Sequence, residues 1–314
     1  MRRARSALIG LLLMAGWSTA QTSAGQASAA QTSVAQSAAA SPGSVPLSTP
    51  PGATTDPARA AAPGPVNALI SALKRSWQAE ARGEAVLELV FPPSSTPLRR
   101  ARALPRLAAV PALIRRNFVV TVGAAAETVA GRPALIYTLT PRNAQAARWT
   151  LWIDRKWKVP LAYQERTPDG SLARRAELTS VSPTLTRLAV ATPAAPLTGA
   201  PALKKALLSA LPGLKLPAGF EPLSVQRRTG TAGPTSTEVL LTDGLNVLAL
   251  VVSPRPVQAA SGVAVRRLKG QSVWLVGNLP QNALEDALGS VRGLDAQAIG
   301  NLPGTSGPPA ASDQ

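Results

Sequence analysis

The sequence predicts an α+β chain: a curved antiparallel meander with covering helices, then a small antiparallel sheet backed by one helix. Three observations predict it. One stretch of helical period opens the first globular block, closely spaced segments of alternating polarity follow, and a second such set lies beyond a proline-rich interruption. Closely spaced strands joined by tight turns pair antiparallel, because parallel pairing needs long crossovers.

The elements follow in order. "MRRARSALIGLLLMAGWSTAQ" has a basic start (Arg2, Arg3, Arg5), an apolar run from Ala7 to Ala15, and small residues at Ser18 and Ala20. This pattern predicts a signal peptide over residues 1–20, cut before Gln21. The apolar run is far shorter than the ~20 residues of a membrane span. Residues 21–65 are rich in Ala, Ser, Thr, Gln and Pro, with Asp56 and Arg59 as their charges, and predict a disordered tether.

The first block, residues 66–182, starts with a helix. Pro65 suits its first position and Gly83 its stop, and Val66, Leu69, Ile70, Leu73 and Trp77 recur at helical spacing. Strands are expected at Ala85–Phe91, Phe118–Val122, Ala134–Thr140, Arg148–Asp154 and Leu161–Arg166. Turns are expected near Gly131–Arg132 and at Thr167–Gly170, with Pro168 in second position. Between strands, "PLRRARALPRLAAVPALIRRN" carries Arg99, Arg100, Arg102, Arg106, Arg115 and Arg116. It reads as a pair of short helices over one mouth of the sheet, its arginines forming either a solvated face or a binding surface.

Residues 183–216 read as a linker that holds a short helix, "PALKKALLSAL". The second block, residues 217–292, has a hairpin signal at Asp243-Gly244 and a closing helix from about Gln281 with Leu284, Leu288 and Val291 on one face. Residues 293–314 read as a disordered tail.

Composition narrows the function. The chain has 314 residues with no histidine and no cysteine. That removes thiol chemistry, disulfides, Ser-His-Asp sites, the commonest metal ligands and a lipidated cysteine at the cut. The 16 acidic residues show no metal-loop spacing, and no phosphate-binding glycine fingerprint is present. Asp154 and Glu165 are conceivable as an acid–base pair, but pairing with Arg155 and Arg166 is the expected arrangement. The sequence therefore predicts a protein that is not an enzyme, with no cofactor and no metal. A net charge of +17 fits anionic lipid, glycan or acidic protein, and export excludes nucleic acid as the natural partner. The expected location is the periplasm or extracytoplasmic envelope.

The chain resembles the RseB/MucB family of periplasmic regulators of an envelope-stress sigma factor. In the first block the resemblance rests on "VAGRPALIYTLTPRNAQAARWTLWIDRKWKVPLAYQERTPDGSLARRAELTSV". In the second it rests on "LPAGFEPLSV", "LLTDGLNVLALVV" and "WLVGNLP". The reversal "RKWKVP" after Asp154 departs from the family pattern, as does "AEARGEA" at the end of the opening helix. The resemblance implies a LolA-like curved antiparallel half-barrel with covering helices and a smaller MucB/RseB-type domain beside it. It further implies binding of an anti-sigma factor's periplasmic segment, relieved by lipid ligands.

In that frame Leu87, Leu89, Tyr137, Leu151, Ile153 and Tyr163 are candidates for lining a hollow that takes lipid or lipoprotein acyl chains. Trp157, Arg99, Arg100 and Arg102 are candidates for partner or peripheral membrane contact. Trp149, Leu151 and Ile153 share one face of their strand, with Trp152 on the other. The tryptophans are then either core packing, or cavity lining with a hairpin-tip contact at Trp157. A regulator is the reading adopted. A LolA-like lipid or lipoprotein carrier is the alternative, and a structural protein bound to anionic polymer is a third.

Overall fold

The computed structural model describes residues 64–91, 97–188, 200–230 and 233–303. The predicted signal peptide, almost all of the tether, part of the linker and the end of the tail lie outside these residues. The described chain is α+β, built on two open antiparallel sheets.

Helix α1 (Pro65–Arg75) buries Leu69, Ile70, Ala72 and Leu73 along one stripe. It stops at Arg75, well before Gly83, with the Ser76 amide donating to the Ala72 carbonyl. The chain then forms β1 (Ala79–Glu80), paired with β9 (Thr186–Arg187), and enters β2 (Arg82–Leu89). Gly83 ends no helix. It sits where β2 and β8 (Leu172–Val181) come unusually close, and a Cβ there would lie 2.1 Å from the Ser180 carbonyl oxygen.

The basic segment also differs from expectation. Its first part is a strand, β3 (Leu98–Ala103), on the edge of the sheet beside β2, and only its end is helical, α2 (Pro111–Asn117). The alternation in "LRRARA" explains this: Ala101 and Ala103 turn inward, and the bulky cations go to water. Then come β4 (Phe118–Val129), β5 (Arg132–Pro141), β6 (Arg148–Asp154) and β7 (Pro160–Arg166).

The order in the seven-stranded sheet is β3-β2-β8-β7-β6-β5-β4. Residues 118–181 are therefore the expected meander, while residues 104–117 carry the chain from one sheet edge to the other. The sheet rolls strongly. Cα atoms of β4 and β8 come within 8 Å although three strands separate them. The predicted turns are present: Gly131 has φ 74°, and the Gly170 amide donates to the Thr167 carbonyl at 2.9 Å.

The second sheet comprises β10 (Glu221–Gly230), β11 (Gly233–Thr242), β12 (Val247–Ser253), β13 (Val263–Leu268) and β14 (Gln271–Val276), in the order β10-β11-β12-β14-β13. It is backed by three helices, not one: α3 (Ala200–Ala210), α4 (Gln281–Gly289) and α5 (Ala296–Gly300). Helix α3 lies in the expected linker and α5 in the expected tail. Leu203, Leu207 and Ile299 are buried in the same cluster as Leu250 and Leu275, which gives both helices their reason to fold.

Candidate functional site at the junction of the sheets

The dipeptide Asp243-Gly244 belongs to a four-residue loop, since Thr242 pairs directly with Val247. Asp243 shapes that loop. Its Oδ1 accepts the amides of Leu245 (3.1 Å) and Asn246 (2.9 Å), its Oδ2 accepts Asn246 Nδ2 (2.7 Å), and Thr242 Oγ1 accepts the Gly244 amide (3.0 Å). Gly244 has φ 123°, and a Cβ there would stand 2.7 Å from the Ile114 backbone nitrogen of α2. Only glycine lets the loop press this closely on the helix.

The loop works as a plug. Leu245, 1% exposed, is buried in the core of the first sheet among Trp149, Leu151, Tyr163 and Ile114. In return, Ala146 of the β5–β6 connection is buried in the core of the second. Around the plug a further set of bonds crosses between the sheets. The Val110 amide donates to the Gly244 carbonyl at 2.9 Å. Asn117 Nδ2 donates to the carbonyls of Gly219 (2.8 Å) and Asp243 (2.7 Å). The Trp149 indole N–H donates to Asn246 Oδ1 at 2.8 Å, and Asn246 Nδ2 to the Ala147 carbonyl at 3.3 Å. Asn143 Nδ2 reaches the Ala218 carbonyl at 3.1 Å, and Arg116 meets Glu221 at 3.2 Å.

Buried charge gathers here as well. Glu165, 3% exposed, accepts from Arg174 and from Asn278 Nδ2 of the second sheet. Arg174 also lies over the Trp149 ring, 4.7 Å from its centroid. Burial raises the Asp243 carboxyl from 3.8 to about 6, partly offset by the Asn246 side chain and the loop amides, with the Glu165 charge adding to the rise.

The predicted site residues fall into three groups. Leu87, Tyr137, Leu151, Ile153 and Tyr163 come together in one buried cluster under α1, with Leu69, Ile70 and Leu73. Leu89 is half-buried and stands outside it. The nearby cleft between β7 and residues 104–107, which Tyr163 lines, has a volume of about 30 Å³, room for a few waters. Arg99, Arg100 and Arg102 lie along the exposed edge strand β3. Trp157 is half-buried at the β6–β7 turn, its ring covered by the Arg132 guanidinium at 3.3 Å.

The same turn accounts for Asp154. Burial pushes its carboxyl up, but Arg132 (Nε to Oδ2, 2.6 Å) and the amides of Trp157 and Lys156 outweigh this and hold it below its ordinary value. Asp154 and Glu165 thus pair with Arg132 and Arg174, not with Arg155 and Arg166. The register dictates one of these pairs: Glu165 stands directly opposite Arg174 on the neighbouring strand.

The sequence reading missed Asn117, Asn246 and Asn278 as cross-linking residues. For Asn246 and Asn278 a signal was present in "TDGLN" and "VGNLP", where an asparagine follows a glycine turn inside an apolar surround; Asn117, after Arg115 and Arg116, has none.

These features define a two-sheet architecture with its two parts locked by a buried plug. No family profile and no curated protein sequence matches the chain. Among solved structures, it is similar to a crystal structure of MucB, with a TM-score of 0.51 at 18% identity, covering 74% of this chain and 100% of that one. It also aligns with the complex structure of Pseudomonas aeruginosa MucA/MucB (TM-score 0.49, 18% identity, 74% of this chain and 99% of that one). MucB in complex with MucA(peri) aligns with a TM-score of 0.49 at 19% identity, over 74% of this chain and 100% of that one. The fold of this chain is that of MucB.

Proposed function

We propose that this chain is an exported, non-enzymatic regulator that binds the extracytoplasmic segment of an anti-sigma factor and responds to lipid. The observation that carries the reading is the MucB fold over both sheets, joined at the segments on which the sequence resemblance rests. "LPAGF" supplies the Ala218 and Gly219 carbonyls, "TDGLN" the plug and "VGNLP" the Asn278 side chain, and all three meet the first sheet. A joint so built holds two surfaces in a fixed relation, as a grip on an extended partner requires.

Binding in place of chemistry fits the carboxylates. Asp154, Glu165 and Asp243 are each held by arginines or amides in structural roles. The cationic surface favours an acidic partner. Among the described residues no helix is long and apolar enough to cross a membrane.

We assign the lipid response to the cluster under α1. An acyl chain entering among Leu87, Tyr137, Leu151, Ile153 and Tyr163 would have to displace α1 or Leu245, since both already fill that face. A permanently open carrier has less support for the same reason. The test is chemical cross-linking in the native envelope followed by mass spectrometry. The reading expects a membrane-anchored regulator as the major partner, released by added lipid. Recovery of lipoproteins or lipids without such a protein would favour the carrier.

A further inference from the structure

The two edges of the seven-stranded sheet are finished differently. The β3 edge is guarded: Arg99, Arg100 and Arg102 stand along it, and charged side chains deter the addition of another strand. The β4 edge has no such guard. Its sole charged residue is Glu127, and that carboxylate is occupied by the Trp152 indole N–H at 2.7 Å. Nine of its twelve residues are exposed, so its outer backbone faces water along most of its length. Val119 and Val122 are 44% and 42% exposed. Among the described residues no strand pairs with its outer side.

One end of this open edge is strongly cationic. Arg115 and Arg116 close α2 immediately before β4, and Arg142 sits beside them, its amide donating to the Asn117 carbonyl at 2.7 Å. All three are exposed; Arg116 is already paired with Glu221 at 3.2 Å, and no acidic residue occurs in the sequence between Glu88 and Glu127.

We infer that the outer edge of β4 is a strand-addition site for an extended acidic peptide segment. Main-chain hydrogen bonds along residues 119–122 and, past the bulge between Val122 and Ala126, residues 126–128 would supply affinity, and ion pairs with Arg115 and Arg142 would set register and direction. A second copy of the chain fits less well. Two copies of β4 paired about a two-fold axis would set each arginine cluster against the other end of the partner strand, where Arg155 stands beside an Arg132–Asp154 pair and the one carboxylate, Glu127, is taken by the Trp152 indole. The inference deepens the proposed function by naming the surface that receives the partner, and only the partner's biological identity rests on that reading.

The test selects twelve-residue peptides from a random display library against the full chain, then measures backbone hydrogen–deuterium exchange with the best binder. Expected are peptides with acidic residues toward one end and β-branched residues at alternate positions, and slowed exchange at β4 amides. N-methylation of alternate peptide amides should abolish binding. Arg142→Glu should weaken it about tenfold, the loss expected for one exposed charge-assisted contact made repulsive. Three results would overturn the inference: protection elsewhere with β4 unaffected, equal affinity of the N-methylated peptide, or a light-scattering dimer whose β4 amides are protected without peptide. The two proposals fail separately. A native partner that binds while leaving β4 amides unprotected sinks the edge site and spares the regulator.

Discussion

Replacing Leu245 by alanine removes the apolar tip of the plug. Leu245 belongs in sequence to the second sheet, yet it is 1% exposed among Trp149, Leu151 and Tyr163 of the first. Truncating a fully buried leucine costs about 2–5 kcal/mol, and the well-packed setting here puts the expected loss near 3 kcal/mol. The loss falls on the joint, because each sheet keeps its own remaining core. In urea, the unaltered chain is expected to unfold in one transition, with tryptophan fluorescence and far-ultraviolet circular dichroism coinciding. Leu245→Ala should separate the two signals, with the fluorescence of Trp149 changing first. A variant within about 0.5 kcal/mol of the parent, the range of an ordinary surface change, with the two probes still superimposed, would refute the plug.

Other outcomes follow from the same contacts. Asn246→Ala leaves the buried Trp149 indole N–H without its acceptor and should cost about 1–3 kcal/mol, with a shift in tryptophan emission that marks the site. Asp243 has its carboxyl raised from 3.8 to about 6, so the folded chain holds that proton more tightly than the unfolded one. Its contribution to stability is therefore full below about pH 4 and is lost as pH rises through about 6, a change on the order of 3 kcal/mol. Melting temperatures across that window should show the slope in the parent and a flattened slope in Asp243→Asn; identical slopes would discount the carboxyl. Arg132→Met strips the side-chain cation from fully buried Asp154 and uncovers Trp157, and denaturation should report a loss of about 3 kcal/mol. Gly83→Ala forces a methyl onto the Ser180 carbonyl, and denaturation should report a loss of about 1–3 kcal/mol.

Much of the fold was legible because local rules and tertiary contacts agreed. The stripe Leu69, Ile70 and Leu73 marks α1, and the alternation Trp149, Leu151, Ile153 marks the inward face of β6. Errors arose where short-range signals have two meanings. A glycine after a helical stretch can stop a helix or admit a close strand crossing, and Gly83 does the second. Arginine-rich "LRRARA" satisfies helical propensity, yet pairing with β2 buries its alanines and makes it a strand. Helices α3 and α5 have weak signals of their own, and their partners in the second core lie far along the chain. All the candidate lining residues but Leu89 lie in one buried cluster, and periodicity could not tell a hollow from a face already filled by α1 and Leu245. The joint was hidden for a related reason. Asn117, at a helix end, and Asn246 and Asn278, in turns, are ordinary residues until the fold brings each against a carbonyl, an indole or a carboxylate of the other sheet.

Under the proposed function this chain holds a protein segment and does not transform a substrate. Limited proteolysis of the partner recovered from the native envelope tests this most directly, comparing the partner alone with the partner bound to the purified chain. Protection of one extended, acidic stretch, lost when lipid is added, is the predicted result. A partner cleaved equally fast in both conditions would contradict the account.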